Sequence, residues 1–91
     1  VIAPTDAHEQ ACCIFSYIQK HLEAAGGCMN DLAKMTIFLT DIRDRPAVLE
    51  ARKKFFSNDF PCSTLIEVDA LIDPRMLVEI EGMAVLGAGK N

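Results

Sequence analysis

The chain has 91 residues, 51% of them apolar, and a formal net charge of −4. That length fits one domain, residues 1–91, which buries little more than ~60% of its unfolded surface and leans on a partner for stability. The acidic balance and the lack of a basic stripe speak against nucleic acid as a partner, and no apolar run is long enough to span a membrane. The sequence opens on Val1 with no signal-peptide layout, as a processed, trimmed or partial chain does. In chain order, Asp6 with Glu9 three residues on reads as a capping box. Ala7, Ala11, Ile14, Phe15, Ile18, Leu22 and Ala25 then recur at spacings of three and four, which predicts an amphipathic helix closed by Gly26-Gly27. A turn follows over 28–33, with a short helical piece capped by Asn30. Residues 35–40, Met-Thr-Ile-Phe-Leu-Thr, are apolar or β-branched on both faces and read as a central strand. Asp44 is the expected cap of a second helix, with Pro46 in its first turn and Val48, Leu49, Arg52, Phe55 and Phe56 at helical spacing.

The last third alternates with period two in two stretches, the signature of half-buried strands. In the first, Thr64, Ile66 and Val68 share one face and Leu65, Glu67 and Asp69 the other. In the second, Val78, Ile80, Gly82 and Ala84 share one face, while Leu77, Glu79, Glu81, Met83 and Val85 share the other. Paired as a hairpin, the two would put several carboxylates on an otherwise apolar face, with Glu79 on the same side as Ser63. Such a mixture suits a face covered by a partner subunit or a ligand. The element order α-β-α-β-β predicts an α+β fold with both helices on one sheet face.

Four cysteines, Cys12, Cys13, Cys28 and Cys62, show no C-x-x-C spacing, and adjacent helical neighbours pair poorly. They read as free thiols of a reducing, cytoplasmic setting. His8 and His21 lie about 220° apart around the first helix at ~100° per residue, so they cannot share a metal, and no metal or cofactor is expected. Gly87-Ala88-Gly89-Lys90 is a tail and not a phosphate loop, since no helix follows it. Arg43, Arg45 and Arg52 read as a solvated face.

Several blocks together carry a resemblance. They are Leu22-Glu23-Ala24-Ala25-Gly26, the strand ending Thr36-Ile37-Phe38-Leu39-Thr40-Asp41, the helix ending Phe55-Phe56, the Phe60-Pro61 turn, and Val78-Glu79-Ile80-Glu81-Gly82-Met83-Ala84. In that order, from about Asp6 to about Val85, the chain resembles the Rid, or YjgF-like, reactive-intermediate (enamine and imine) deaminases. The resemblance implies a chorismate-mutase-like α+β fold and a homotrimer with small-molecule clefts between subunits. It also implies that the β-hairpin and strand preceding the first helix in relatives have no counterpart here, which leaves the site incomplete.

The departures bear on chemistry. Ser63 stands where the active deaminases carry an arginine, Leu49 where they carry an asparagine, and Leu65 where they commonly carry a cysteine. The carboxylate that orients water matches Glu79. Hydrolysing a 2-imino acid takes a carboxylate anchor, a water aimed at the C=N carbon, and a proton relay to the leaving ammonia. Arginine anchors by a bidentate, charge-assisted pair; serine offers one neutral hydrogen bond. Ser63, Leu65 and Leu49 are therefore expected to line the cleft and Glu79 to act as general base, while Glu67 and Glu81 are structural or solvated. A neutral or cationic imine would suit such a site better than an anionic one, unless an arginine from a neighbouring subunit filled the place. The alternative is a non-catalytic trimer of the same fold that binds a small molecule or regulates through the same cleft.

Overall fold

The computed structural model describes residues 6–56 and 61–88. Phe60 of the Phe-Pro turn and the tail from Gly89 onward lie outside that range. Helix α1 spans Ala7–Ala24. Asp6 caps it from an extended backbone, its carboxylate accepting the Glu9 N–H at 2.7 Å. That satisfies one of the amides a helix start leaves without a partner. Ala7, Ala11 and Phe15 form the buried stripe. At the other end Gly26 takes φ +88°, and the chain reverses onto the helix. The Gly26 N–H donates to the Glu23 carbonyl at 3.0 Å and the Gly27 N–H to the Leu22 carbonyl at 2.7 Å, the paired bonds of a glycine-closed helix end.

A single 3-10 turn, Met29–Asp31, follows. Cys28, and not the expected Asn30, holds its cap position. The reason is Asp31, a buried carboxylate that reaches back to accept the Cys28 N–H at 3.1 Å and fixes where the turn begins. Strand β1 covers Leu32–Leu39, starting three residues before the apolar run that predicted it. A second 3-10 turn, Ile42–Asp44, runs directly into helix α2, Arg45–Arg52, with Pro46 in the first turn. Asp44 holds the cap position of α2 without a side-chain cap bond. The capping carboxylate is Asp41, which accepts the Arg43 N–H at 2.9 Å, because the open amides belong to the 3-10 turn upstream. Phe55 and Phe56 lie just beyond α2 and pack on Phe15, with ring centroids 5.5 and 6.0 Å away.

Strands β2, Cys62–Glu67, and β3, Val78–Ala84, complete one three-stranded sheet in the order β2-β1-β3. The expected hairpin between β2 and β3 does not form. β1 lies between them, parallel to β2 and antiparallel to β3. Two physical reasons combine. β1 is the strand with apolar residues toward both faces, so the centre is where it loses most contact with water. Helix α2 also supplies the crossover that a parallel β1–β2 pair requires. Alternation then assigns the faces. Met35, Ile37 and Leu39 of β1 are buried with Val78 of β3 beneath Phe15 and Val48 of the helices, so both helices cover one sheet face.

Gln10 ties the helical layer to the long connection between β2 and β3. It is buried; its Nε2 donates to the Arg75 carbonyl at 3.0 Å and its Oε1 accepts the Leu77 N–H at 2.7 Å. Cys12, Cys13 and Cys28 are free thiols, with Cys12 Sγ 4.0 Å from His8 Nδ1. Among the described residues no helix is long and apolar enough to cross a membrane.

Candidate functional site at the two faces of the sheet

The register settles which residues share a side. Lys34, Thr36 and Phe38 of β1 point away from the helices. Thr64 and Ile66 of β2 stand opposite Thr36 and Phe38 on one side, and Met83, Glu81 and Glu79 of β3 stand opposite all three on the other. Residues directly opposite in a ladder point to the same face. The uncovered face therefore carries Glu79 and Glu81 beside Thr36, Phe38, Thr64 and Ile66. Glu79, Glu81 and Thr64 are exposed there, as are Ile66 at 41% and Met83 at 58%. A groove of about 330 Å³ lies along the paired β1 and β3, lined by Lys34, Met35, Thr36, Glu81, Gly82 and Met83.

Ser63 lies on the other side. It is level with Met35 and Gly82, and Leu65 is level with Ile37 and Ile80, all toward the helices. The expected pairing of Ser63 with Glu79 on one face thus fails within a single chain. β1 separates their strands by about 10 Å, and the sheet itself stands between the side chains. Glu67, grouped in the sequence with Glu79, also falls on the helix side, where it accepts the Ile42 N–H at 2.8 Å. The misplacement has one origin: a hairpin register aligns positions that a parallel β1–β2 ladder puts on opposite faces.

The other expected residues lie on the helix side. Leu65 packs half-buried against the core, and Leu49 is half-buried on α2. One turn after Leu49, Arg52 reaches the edge of β2, and its Nη1 donates to Ser63 Oγ at 3.4 Å. The Ser63 hydroxyl in turn donates to the Pro61 carbonyl at 3.1 Å. Arg52 is half-buried and not part of a solvated face. Burial pushes its pKa down, and repulsion from Arg45 adds to that shift. It stays charged at any pH the fold survives. The sequence hid this contact because helical spacing gives the direction of Arg52 but not what lies across from it; the parallel crossover decides that. Arg43 is engaged elsewhere, with Asp41 at 2.7 Å. Among the described residues no cluster of three histidine, cysteine or carboxylate side chains could hold a metal ion.

The arrangement divides by chemistry as well as by face. One side carries an exposed carboxylate, Glu79, on the face that also holds Phe38, Ile66, Thr36 and Thr64. The other offers a guanidinium, a hydroxyl and two leucines. The comparison with known proteins bears on which chemistry this serves. Residues 1–86 match the family described as Endoribonuclease L-PSP. A Dermatophagoides farinae protein named 2-iminobutanoate/2-iminopropanoate deaminase is 33% identical over 72 residues, covering 79% of this chain and 56% of its own. The crystal structure of PA3499 from Pseudomonas aeruginosa, a protein of unknown function, superposes with a TM-score of 0.87 at 43% identity, over 90% of this chain and 59% of that one. Rv2704 from Mycobacterium tuberculosis, solved as a member of the YjgF/YER057c/UK114 family, gives 0.86 at 32% identity, over 91% and 70%. This chain spans little more than half the length of the first two. A family match over nearly the whole sequence and a shared α+β sheet leave one conclusion: the chain belongs to the Endoribonuclease L-PSP family, the group also called Rid or YjgF.

Proposed function

We propose that the protein hydrolyses the C=N bond of a small imine, or of the imine in equilibrium with an enamine, in a cleft between copies of a homotrimer. The observation that carries this reading is the division of the site between two sheet faces. Glu79 cannot meet Ser63, Leu65, Leu49 or Arg52 inside one chain, but the uncovered face of one copy can meet the β2 edge of another. The mixed surface of Ile66, Met83, Thr64 and Glu79 is the kind that a second subunit covers. In the reaction, Glu79 takes a proton from water as the oxygen adds to the imine carbon. Glu79 returns that proton to the nitrogen, which completes the carbinolamine; the hydroxyl proton then passes by way of Glu79 to the amine, which leaves as ammonia while the carbonyl forms. A general base of this kind contributes about 10²- to 10⁴-fold. The imine deaminase name of the mite relative supports the reaction class. The net charge of −4 gives an RNA backbone little attraction, which supports a small-molecule substrate over a nucleic acid.

A second reading keeps the cleft and drops the chemistry. It is favoured by Leu49 and Leu65, apolar at two positions that could have supplied polar groups. Ammonia release separates the two. Imines generated in place by an amino-acid oxidase, from alanine and from 2-aminobutyrate, are expected to lose ammonia faster with the protein than with buffer alone. No acceleration for any imine tried would leave the binding protein as the reading.

A further inference from the structure

The outer side of the helical layer, away from the uncovered sheet face, carries a cluster of its own. An open groove of about 340 Å³ runs along α1, lined by Cys12, Cys13, Ser16, Tyr17 and Lys20. Two thiols, a hydroxyl, an aromatic ring and a cation thus share one surface. Cys12 is half-buried: one side packs on the core, and its Sγ lies 4.0 Å from Nδ1 of His8, one turn earlier. Side chains four apart in a helix meet in this way. With its proton on Nε2, His8 presents Nδ1 to the thiol as an acceptor. Cys13 is the more exposed of the pair, but the residue one turn before it is Glu9, whose negative charge opposes a thiolate. Lys20 stands at the far end of the groove, its Nζ 5.9 Å from the centre of the exposed Tyr17 ring.

We propose that Cys12 is a site of covalent modification by a small anionic disulfide, with His8 as its base and Lys20 as the group that draws the anion. A thiol reacts through its thiolate, so exposure alone does not decide which cysteine is attacked. In the step, the Cys12 proton passes to His8 Nδ1 and the thiolate attacks one sulfur of the disulfide. A bond forms between Cys12 Sγ and that sulfur, the reagent's own S–S bond breaks, and the departing thiolate takes the proton from His8. One protein thiol and one disulfide become one mixed disulfide and one free thiol, and no other oxidant enters. The site is separate from Glu79, Ser63 and Arg52, so it stands whether or not the cleft hydrolyses an imine.

The probe is oxidised glutathione, a disulfide of net negative charge, added to the full chain at neutral pH. Intact mass follows the adduct, and fragmentation of the peptide that holds both thiols places it. Cys12 is expected to react first, ahead of Cys13, Cys28 and Cys62. His8→Gln should slow Cys12 about 10-fold and leave Cys13 unchanged, which a general loosening of the helix would not do. Lys20→Gln should slow the reaction about 2- to 5-fold at low salt and leave that of the uncharged 2-hydroxyethyl disulfide as it was. Melting curves show whether each variant keeps its fold, and the order of Cys12 and Cys13 in wild type needs no variant. Cys13 reacting first overturns the proposal, as does a folded His8→Gln whose Cys12 reacts at the wild-type rate. Equal rates with oxidised glutathione for wild type and Lys20→Gln overturn the choice of an anionic reagent.

Discussion

Replacing Glu79 by glutamine keeps the shape of the side chain and removes its capacity to take a proton. Glu79 sits exposed on β3, opposite the half-buried Phe38, and is not buried in the core of the subunit. The Glu79→Gln variant should therefore melt within a degree or two of wild type, as surface substitutions do, while imine hydrolysis falls ~10²-fold or more. A rate loss that merely follows the folded fraction would make Glu79 a structural acceptor. Full activity in a stable variant would make it a bystander. Two other carboxylates carry a pH signature. Asp41 and Asp73 titrate at about 2 instead of 3.8, chiefly because the side chains of Arg43 and Arg75 hydrogen-bond their charged forms. Both folded-state values lie below the unfolded one. Any contribution to stability is thus present at neutral pH and is lost as the pH falls through about 2. Carboxyl carbon shifts followed from pH 6 downward should show both titrating late. Arg43→Gln should return Asp41 toward the ordinary range and leave Asp73 where it was; an unmoved Asp41 would show that Arg43 is not the cause.

Among elements, α1 was the most legible, because everything that defines it is local. Asp6 caps it, the three-and-four spacing gives its stripe, and Gly26-Gly27 closes it. The strands were legible one by one and illegible as a sheet. Alternation tells which residues of a strand share a face and says nothing of which strand lies beside it. Yet β1, apolar on both faces, already marked the centre, and in a three-stranded sheet a central strand leaves no edge where the other two can pair. Residues 68–77 also make a connection longer than a hairpin needs. Gln10 was missed for a related reason: a polar residue on a helix reads as solvated until the loop that covers it is known. Its two bonds join elements 65 and 67 residues apart in sequence. Gln10→Ala would leave the Leu77 N–H and the Arg75 carbonyl without this partner, at a cost of about 1–3 kcal/mol. At roughly 4–8 °C per kcal/mol for a domain of this size, the melting temperature should fall measurably. An unchanged midpoint would mean that water replaces the amide without loss.

For the molecule as a whole, the uncovered sheet face sets the expectation. Ile66 and Met83, exposed at 41% and 58%, lie on it beside Thr36 and Thr64, the mixed kind of surface that a partner covers. Sedimentation at micromolar concentration should report three copies of the 10.0 kDa chain, and a monomer under those conditions would sink the trimer. Of the residues proposed for the site, Ser63, Leu65, Leu49 and Glu79, type and place along the chain were legible in the sequence. Their distribution over two faces was not, because it depends on the parallel pairing of β1 with β2.

The placement of Glu79 and Arg52 on opposite sides of one sheet has a genetic consequence. If each cleft takes its acid from one copy and its cation from the next, then Glu79→Gln and Arg52→Gln injure different halves of the same cleft. Neither variant alone assembles an intact one. When the two are unfolded together and refolded as mixed trimers, a cleft is whole wherever an intact glutamate happens to face an intact arginine. Random mixing in a ring of heterologous contacts restores about a quarter of the clefts. Two inactive proteins would then complement each other in a single tube, and the recovered rate would rise and fall with their ratio, highest at equal amounts. A mixture as inactive as its parts would place both residues in the service of one and the same subunit.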